Sequence, residues 1–286
     1  MTDRIREFLA RNRPEGPCLV LDLDVVRANY MAFAKALPDT RVFYAVKANP
    51  EPEILRVLAE LGSCFDCASR TEIEMVLAAG ATPDRISFGN TIKRESDVAR
   101  AFDLGVRLFA VDCEAEVEKV ARAAPGARVF CRILCDCEGA DWPLSRKFGC
   151  DAQMAVEVLE RAQRLGLIAH GVSFHVGSQQ NNPDAWNNAL ATSAWIFRTL
   201  GERGIHLKMV NLGGGFPAHR LQKVPERSAY GLAIFQALRR HFGNRIPETI
   251  IEPGRGMVAD AGIIKSEVLL ISRKSASDEM RWVYLD

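Results

Sequence analysis

The stretch Val42-Phe-Tyr-Ala-Val-Lys-Ala-Asn-Pro50 is a β-branched and aromatic run that ends in a lysine. Side-chain alternation along a strand puts Lys47 on the same face as Phe43 and Ala45, and Asn49-Pro50 ends the strand just after the charge. We therefore expect Lys47 to point inward from the carboxyl end of a strand. There a partly desolvated ammonium favours its neutral form and can act as a nucleophile or form a Schiff base. The alternative is a lysine whose ammonium reaches solvent from a strand end.

Length and composition limit the class of protein. The 286 residues suffice for one large domain, and the apolar share of 48% is ordinary for a globular chain. With 37 basic and 36 acidic residues, the formal charge of +1 does not indicate binding to nucleic acid or to an anionic membrane. No apolar run approaches the roughly 18 residues of a membrane span, and the charged opening Met1-Thr-Asp-Arg-Ile-Arg-Glu lacks the apolar core of a signal peptide. We expect a cytoplasmic protein.

Eight cysteines lie at positions 18, 64, 67, 113, 131, 135, 137 and 150. A chain of this length does not need disulfides, so free thiols are expected. Cys64-Phe-Asp-Cys67 has the spacing of a redox pair or of zinc ligands, and Cys135-Asp-Cys137 lies downstream. Neither has the second pair or the histidines of a structural zinc site. We therefore predict no metal site.

Apolar strands alternate with helical patterns through most of the chain. A strand at Cys18–Asp22 and a helix capped by Asp24 and ending near Leu37 come first. The strands that follow are predicted at 42–46, 63–67, 86–88, 107–111, 128–134, 170–175, 208–212 and 249–252. The helices between them are predicted at 52–61, 70–79, 94–104, 114–123, 151–165, 184–203 and 227–242, several of them ended by Gly62, Gly80, Gly105, Gly166, Gly204 or Gly243.

Eight strands separated by helices favour a parallel sheet closed into a (β/α)8 TIM-type barrel, with a doubly wound open sheet as the alternative. Enzymes with this barrel build their sites where the strands end. Polar or glycine residues do lie at, near or just after the ends of the predicted strands: Lys47, Asp66, Arg132, His175, Gly213-Gly-Gly215 and Glu252.

The last two loops fit an anion site. Gly213-Gly-Gly-Phe-Pro217 leaves backbone N–H groups free to approach a phosphate, and Glu252-Pro-Gly-Arg-Gly256 adds a forked guanidinium. The alternative for three glycines is a tight turn. The loops after strands seven and eight are the usual phosphate site in these barrels, which favours the anion.

A lysine for a Schiff base, a phosphate site and a carboxylate on the opposite wall together indicate pyridoxal 5′-phosphate. Lys47 would hold the aldehyde as an imine, and Glu252 would pair with the pyridine nitrogen and keep it protonated. His175 is expected to lie flat against the ring, or else to be a core histidine at a strand end. Arg132 is expected to reach the phenolic oxygen, or else to pair with Asp136.

Five motifs carry a family resemblance: Tyr44-Ala-Val-Lys-Ala-Asn49, Phe65-Asp-Cys-Ala-Ser69, Ser173-Phe-His-Val-Gly-Ser178, Gly213-Gly-Gly-Phe216 and Glu252-Pro-Gly-Arg255. In this order they resemble the fold type III pyridoxal-phosphate decarboxylases that act on ornithine, lysine, diaminopimelate and arginine, nearly end to end. The resemblance implies an alanine racemase-like barrel over residues 23–261. It implies the cofactor roles given above for Lys47, His175, Glu252 and Arg132, a phosphate site of Ser178, Gly213, Gly214, Gly215 and Arg255, and a supporting role for Asp66 beside the lysine.

The motifs Leu144-Ser-Arg-Lys-Phe-Gly149, His175-Val-Gly-Ser-Gln179 and Ile251-Glu-Pro-Gly-Arg-Gly-Met257 most resemble the bacterial ornithine/lysine branch, with diaminopimelate decarboxylase as the alternative. The implied reaction is decarboxylation of L-ornithine or L-lysine to the diamine in polyamine biosynthesis. A buried ammonium needs an acidic partner. The resemblance suggests Asp286 for the far amine of the substrate.

The resemblance also implies a β-domain built from both chain ends, with residues 1–22 and 262–286 as its pieces. We expect that domain to be incomplete, with exposed apolar residues around Ile263-Ile264 and 268–271. By the resemblance, the catalytic cysteine of the family would lie in the missing part and would enter the site of the partner subunit in a homodimer with shared sites. We therefore expect this chain to keep cofactor binding even where turnover is lost. Two other classes stay open. One is a non-catalytic cofactor-binding regulator of a full-length homologue, and the other is an amino-acid racemase or a small cofactor carrier.

Overall fold

The computed structural model of the protein describes residues 1–142, 147–218 and 223–286. Its strands are β1 (Cys18–Leu21), β2 (Thr40–Ala45), β3 (Cys64–Cys67), β4 (Ile86–Phe88), β5 (Leu108–Val111), β6 (Arg128–Arg132), β7 (Ala140–Trp142), β8 (Ile168–Ser173), β9 (Ser178–Gln180), β10 (Met209–Asn211), β11 (Glu248–Ile251), β12 (Gly262–Lys265), β13 (Val268–Ser272) and β14 (Trp282–Leu285). Its α-helices are α1 (Asp3–Arg11), α2 (Leu23–Ala36), α3 (Pro52–Glu60), α4 (Arg70–Ala78), α5 (Glu95–Asp103), α6 (Glu114–Ala123), α7 (Ala152–Arg164), α8 (Trp186–Glu202), α9 (Arg227–Phe242) and α10 (Arg255–Val258).

Eight parallel strands close into a barrel in the order β2, β3, β4, β5, β6, β8, β10 and β11, and β11 pairs back with β2. Each of these strands is followed by a helix before the next one begins. The predicted (β/α)8 barrel is therefore confirmed. All eight barrel strands predicted from the sequence are present, with ends shifted by at most two residues.

The alternation of side chains along β2 separates two layers of the core. Val42 and Tyr44 point outward into a large apolar cluster between the strands and the surrounding helices. Phe43 points inward and belongs to a second cluster of buried residues, with Cys64, Leu108, Ala110, Phe130, Met209 and Ile250. Since these residues belong to five other strands of the barrel, they fill its interior and leave the strand ends for a site.

Helix ends follow local sequence signals. Helix α4 begins with a capping box, in which the Ser69 hydroxyl accepts from the Glu72 N–H and the Glu72 carboxylate accepts from the Ala68 N–H. The six glycines predicted to end helices all have a positive φ, at Gly62, Gly80, Gly105, Gly166, Gly204 and Gly243.

Three local predictions are wrong. Asp22, not Asp24, caps α2, because its carboxylate accepts from the Asp24 N–H at 3.2 Å. The first barrel strand ends at Ala45, so Lys47 lies in a 3-10 turn (Val46–Ala48) instead of on the strand itself. The strand expected to end at His175 ends two residues earlier, at Ser173. The stretch 144–149 lies partly outside the described residues, which resume at Lys147.

The two ends of the chain meet beside the barrel. Strand β1 pairs antiparallel with β12, and β13 pairs antiparallel with β14, so the C-terminal strands begin a second domain. The apolar exposure expected there is found, since Ile264 is 72% exposed and Leu269 is 61% exposed. Among the helices of the described ranges, none combines the length and the apolar character needed to cross a bilayer.

Candidate active site

A cavity of about 570 Å³ opens where the barrel strands end. Six residues that the sequence predicts around a cofactor line it: Lys47, His175, Ser178, Gly215, Glu252 and Arg255. Gly213 and Gly214 precede Gly215 in the same loop. The structure thus brings residues from four of the barrel-strand ends, those of β2, β8, β10 and β11, to one space.

Lys47 enters this cavity from the turn after β2. Its Nζ lies 3.8 Å from the Oδ2 of Asp66, whose side chain is 3% exposed and also accepts a hydrogen bond from the Ser87 hydroxyl. Space for this carboxylate depends on Gly89, where a Cβ would lie 1.8 Å from Asp66 Oδ1. The Lys47 side chain is 62% exposed. The partial desolvation predicted for it is not found, and the ammonium instead faces a buried carboxylate.

Glu252 follows β11 directly and faces the cavity. Burial raises the pKa of its carboxyl to about 7, and the negative charge of Asp66 acts in the same direction. A hydrogen bond from the Asn211 side-chain amide and the positive charges of Lys47 and Arg132 oppose this rise in pKa. The carboxyl therefore exchanges a proton close to neutral pH.

His175 is held as a neutral imidazole. Its Nδ1 accepts a hydrogen bond from the Gly177 N–H at 3.1 Å, so the ring proton is assigned to Nε2. Burial lowers the pKa of His175 to about 3, and the positive charges of Arg132 and Lys47 add to that decrease. The ring is partly buried and lines the cavity.

The loop of three glycines has no room for side chains. A Cβ would lie 2.0 Å from the Phe174 carbonyl oxygen at Gly213, 2.6 Å from that of Glu252 at Gly214, and 2.5 Å from that of Gly177 at Gly215. Within residues 1–142, 147–218 and 223–286, the N–H groups of Gly214 and Gly215 have no hydrogen-bond acceptor. The loop therefore forms a cradle whose donors are available to an anion.

Arg132 lies at the end of β6, with its guanidinium carbon 5.7 Å from the centroid of the Phe148 ring. It lines a second cavity of about 420 Å³ that shares His175 with the first. The alternative partner Asp136 instead accepts from the Glu138 N–H. No ion pair joins Arg132 to Asp136 in the described part of the chain, so that alternative is wrong.

A short ribbon that no sequence pattern predicts lies beside Ser178 and Arg255, two residues that line the cavity. Strands β7 and β9 pair antiparallel, with Trp142 opposite Ser178. The Arg255 guanidinium carbon lies 4.6 Å from the centroid of the Trp142 ring. Arginine often packs over a tryptophan ring, so a tryptophan in the sequence is a possible neighbour for the predicted phosphate-binding arginine. The sequence does not show which tryptophan it is, because only the fold brings Trp142 and Arg255 together.

Asp286 does not join these residues. Its carboxylate accepts from the Ser266 hydroxyl at 2.6 Å and from the Glu267 N–H at 2.9 Å, beside the β13–β14 hairpin. It is not among the residues that line the cavity. Its assignment to the far amine of a substrate stays a prediction.

All eight cysteines are free thiols, as expected from the sequence, and Cys64, Cys67, Cys131 and Cys150 are buried.

Comparison with known proteins identifies the family. The model of the family described as "Pyridoxal-dependent decarboxylase, pyridoxal binding domain" matches residues 23–259. The chain is 37% identical over 291 residues to the lysine/ornithine decarboxylase of Selenomonas ruminantium, covering 100% of this chain and 72% of that protein. It is 39% identical over 262 residues to antizyme inhibitor 2 of Xenopus laevis, covering 91% of this chain and 57% of that protein.

A similar solved structure is the lysine/ornithine decarboxylase of Vibrio vulnificus complexed with putrescine, with a TM-score of 0.86 and 30% identity over 99% of this chain and 74% of that one. The chain spans less than two thirds of several curated relatives, for example 60% of a decarboxylase of Aspergillus flavus. The match over 23–259 covers the whole barrel and every strand end described above. The chain therefore belongs to the pyridoxal-dependent decarboxylase family, and its barrel is the pyridoxal-binding domain of that family.

Proposed function

We propose that the protein binds pyridoxal 5′-phosphate in the 570 Å³ cavity and decarboxylates a basic amino acid, L-ornithine or L-lysine, to the diamine and carbon dioxide. The observation that carries the proposal is the convergence of Lys47, Glu252 and Gly215 on one cavity. An amine, a carboxyl and an anion cradle that line one cavity match the three groups of this cofactor, its aldehyde, its pyridine nitrogen and its phosphate.

The residues present fit this cofactor. The N–H groups of Gly214 and Gly215 have no acceptor in the part of the chain that the structure describes, and any Cβ at these positions would collide with a carbonyl oxygen at 2.6 Å or less. Ser178 and Arg255 line the same cavity and would add a hydroxyl and a guanidinium for phosphate oxygens. The Glu252 carboxyl, which also lines the cavity, would be available for the pyridine nitrogen.

Pyridoxal phosphate, when bound, supplies an aldehyde that reacts with amines and a ring that withdraws electrons from the bond being broken. Asp66 attracts the Lys47 ammonium and so fixes its position at 3.8 Å. Glu252, with a pKa of about 7, would hold or share a proton at the ring nitrogen. The neutral His175 would present an uncharged face to the ring and would not compete for that proton.

The substrate class rests on the relatives. One is named a lysine/ornithine decarboxylase, and a similar structure contains putrescine, the diamine that follows from ornithine. These names support a basic amino acid and a place in polyamine biosynthesis. Diaminopimelate stays the alternative substrate within the family.

A regulatory role is the second candidate function, because one relative is named an antizyme inhibitor and not an enzyme. In that role the chain would bind a full-length homologue without turnover. The proximity of Lys47 to a buried carboxylate supports the enzymatic proposal instead, because a regulator has no use for a reactive amine.

The proposal extends to the surroundings of the barrel. Residues 1–22 and 262–286 would form one β-unit, supported by the pairing of β1 with β12. By family resemblance the protein would act as a cytoplasmic homodimer. Sedimentation with and without the cofactor measures the oligomeric state.

The cofactor assignment is tested by absorbance. Purified protein mixed with pyridoxal phosphate should develop a visible band that Lys47→Ala abolishes and that the exposed-lysine control Lys35→Ala retains. The same protein is then assayed for carbon dioxide release from ornithine, lysine, diaminopimelate and arginine, and for an effect on an active homologue. An unchanged band in Lys47→Ala would refute the assignment of Lys47 as the residue that forms the imine. Carbon dioxide release from diaminopimelate alone would identify diaminopimelate as the substrate instead of ornithine or lysine. Inhibition or activation of the homologue without turnover would favour the regulator.

A further inference from the structure

Asn211 is fully buried at the end of β10, in an otherwise apolar strand. Its side-chain Nδ2 donates to the Oε1 of Glu252, and its Oδ1 accepts from the Gly213 N–H at 2.9 Å. One amide therefore contacts both the carboxyl expected at the ring nitrogen and the first glycine of the anion cradle.

These contacts close into a ring of three hydrogen bonds. The third is between the Glu252 N–H and the Gly213 carbonyl oxygen, at 2.8 Å. The backbone of Asn211 is also fixed, because its carbonyl oxygen accepts from the N–H of Phe174, the residue that follows the neighbouring strand β8. Movement of Asn211, Gly213 or Glu252 alone would break at least two of the three bonds.

The hydrogen-bonding groups around position 211 are best matched by an amide side chain. The Gly213 N–H can only donate, so Oδ1 must face it, and Nδ2 is then directed to the carboxylate. A carboxylate at position 211 could still accept from Gly213 but would repel an ionised Glu252. An apolar side chain would leave both partners buried without hydrogen bonds, which is costly.

We propose that Asn211 is a positioning residue that couples the two ends of the cofactor site, orienting the Glu252 carboxyl and fixing the first turn of the glycine loop. Its relevance to catalysis rests on the proposed function. The coupling itself is a property of this chain and is measurable without a cofactor.

Other charged groups also face Glu252. Asp66 on β3 opposes its ionisation, while Lys47 after β2 and Arg132 on β6 favour it. His175, after β8, is neutral at physiological pH. Replacing Asn211 by Asp removes the one side-chain amide that donates to the Glu252 carboxylate among residues 1–142, 147–218 and 223–286, and it adds a second acid at the same place. The proton affinity of the pair should therefore rise.

The experiment compares Asn211→Asp and Asn211→Ala with wild type. The control is Asn181→Asp, which changes another asparagine that donates to a carboxylate, Asp141, outside the cavity. In the cofactor-free protein labelled with 13C at glutamate carboxyls, Glu252 is assigned by loss of its signal in Glu252→Gln. Its titration midpoint should move upward in both Asn211 variants and stay unchanged in the control.

Two probes then separate the two ends of the site. Inorganic phosphate reports on the cradle, and pyridoxal without its phosphate reports on the ring end. Asn211→Asp keeps an acceptor for Gly213, so phosphate affinity should be retained while pyridoxal affinity falls by about tenfold, the effect of one hydrogen bond to a charged group. Asn211→Ala should weaken both probes.

An unshifted Glu252 midpoint in Asn211→Asp, or equal loss of both probes in that variant, would overturn the coupling. If Asn211→Ala fails to fold, as judged by circular dichroism, the test rests on the nearly isosteric Asn211→Asp variant, whose Glu252 midpoint and probe affinities are sufficient to decide it. Failure of the wild-type protein to bind pyridoxal phosphate would sink the proposed function but not the carboxyl titration, so the two failures are distinguishable.

Discussion

The Nζ of Lys47 and the Oδ2 of Asp66 are 3.8 Å apart, yet their environments differ sharply, because the lysine side chain is 62% exposed and the aspartate is 3% exposed. The buried partner is the fixed one. Asp66 lies on β3 and is further held by the Ser87 hydroxyl on the adjacent β4. The carboxylate therefore sets where the flexible lysine rests.

The first prediction concerns this carboxylate. Asp66→Asn keeps the shape of the side chain but removes a negative charge that raises the pKa of Glu252. The Glu252 midpoint should therefore fall below about 7 in the cofactor-free protein, as read by carboxyl 13C shifts. Lys47 should also react more slowly with pyridoxal phosphate, as followed by absorbance, because its position is no longer fixed.

The matched control for this change is Asp136→Asn, an exposed aspartate in the loop after β6. A Glu252 midpoint equal to wild type in Asp66→Asn would contradict the electrostatic link between the two acids. So would an identical shift in the control, since that would indicate a general effect of lost surface charge.

Sequence periodicity predicts most of this fold for a physical reason. The barrel strands and helices are set by local patterns, such as the alternation of Phe43 with Tyr44 and the glycines that end helices. These signals need only neighbouring residues. Of the two interpretations of Lys47, the one in which its ammonium reaches solvent is found, since the side chain is 62% exposed. The strand ends at Ala45, and the turn that follows depends on contacts distant in sequence, such as the hydrogen bond from the Ala45 N–H to the Pro253 carbonyl oxygen.

The candidate site divides in the same way. Lys47, His175 and Glu252 could be found from their positions at strand ends. Asn211 could not, because its value depends on a carboxyl 41 residues away in the chain. The stacking of Trp142 near Arg255 likewise depends on the pairing of β7 with β9, across a long separation in sequence.

The second prediction concerns the space at Gly214. This glycine does not have a positive φ, so Gly214→Ala tests crowding without backbone strain. The new Cβ would lie 2.6 Å from the Glu252 carbonyl oxygen, so the loop must shift. We expect a loss of about 1–3 kcal/mol in the free energy of unfolding. Inorganic phosphate should also compete less well with pyridoxal phosphate for the site.

The matched control is Gly201→Ala in α8, where the nearest atom to the new Cβ is 3.9 Å away. Alanine should stabilise that helix by about 0.5–1 kcal/mol and leave phosphate binding unchanged. If inorganic phosphate competed as well in Gly214→Ala as in the wild-type protein, the anion would have to bind elsewhere.

The third prediction follows from the pKa of Glu252, which is raised from 4.5 to about 7 in the folded chain. Below pH 4.5 the folded and unfolded chains are both protonated at this group, so it does not affect stability. Between pH 4.5 and 7 the folded chain holds one more proton than the unfolded chain, so the free energy of unfolding falls as the pH rises. Above pH 7 the full penalty, on the order of 3 kcal/mol, is present.

Glu252→Gln removes this ionisation while keeping an acceptor for the Asn211 amide. Relative to the variant, the wild-type protein without cofactor should therefore lose stability from pH 4.5 to about 7 and level off above that, as measured by urea unfolding at each pH from 4 to 8. Glu15→Gln, at an exposed position, should track wild type throughout. A constant difference between wild type and Glu252→Gln across this range would show that the carboxyl does not change its ionisation there. The raised pKa of Glu252 would then be wrong, and so would the proposed role of this carboxyl in protonating the ring nitrogen.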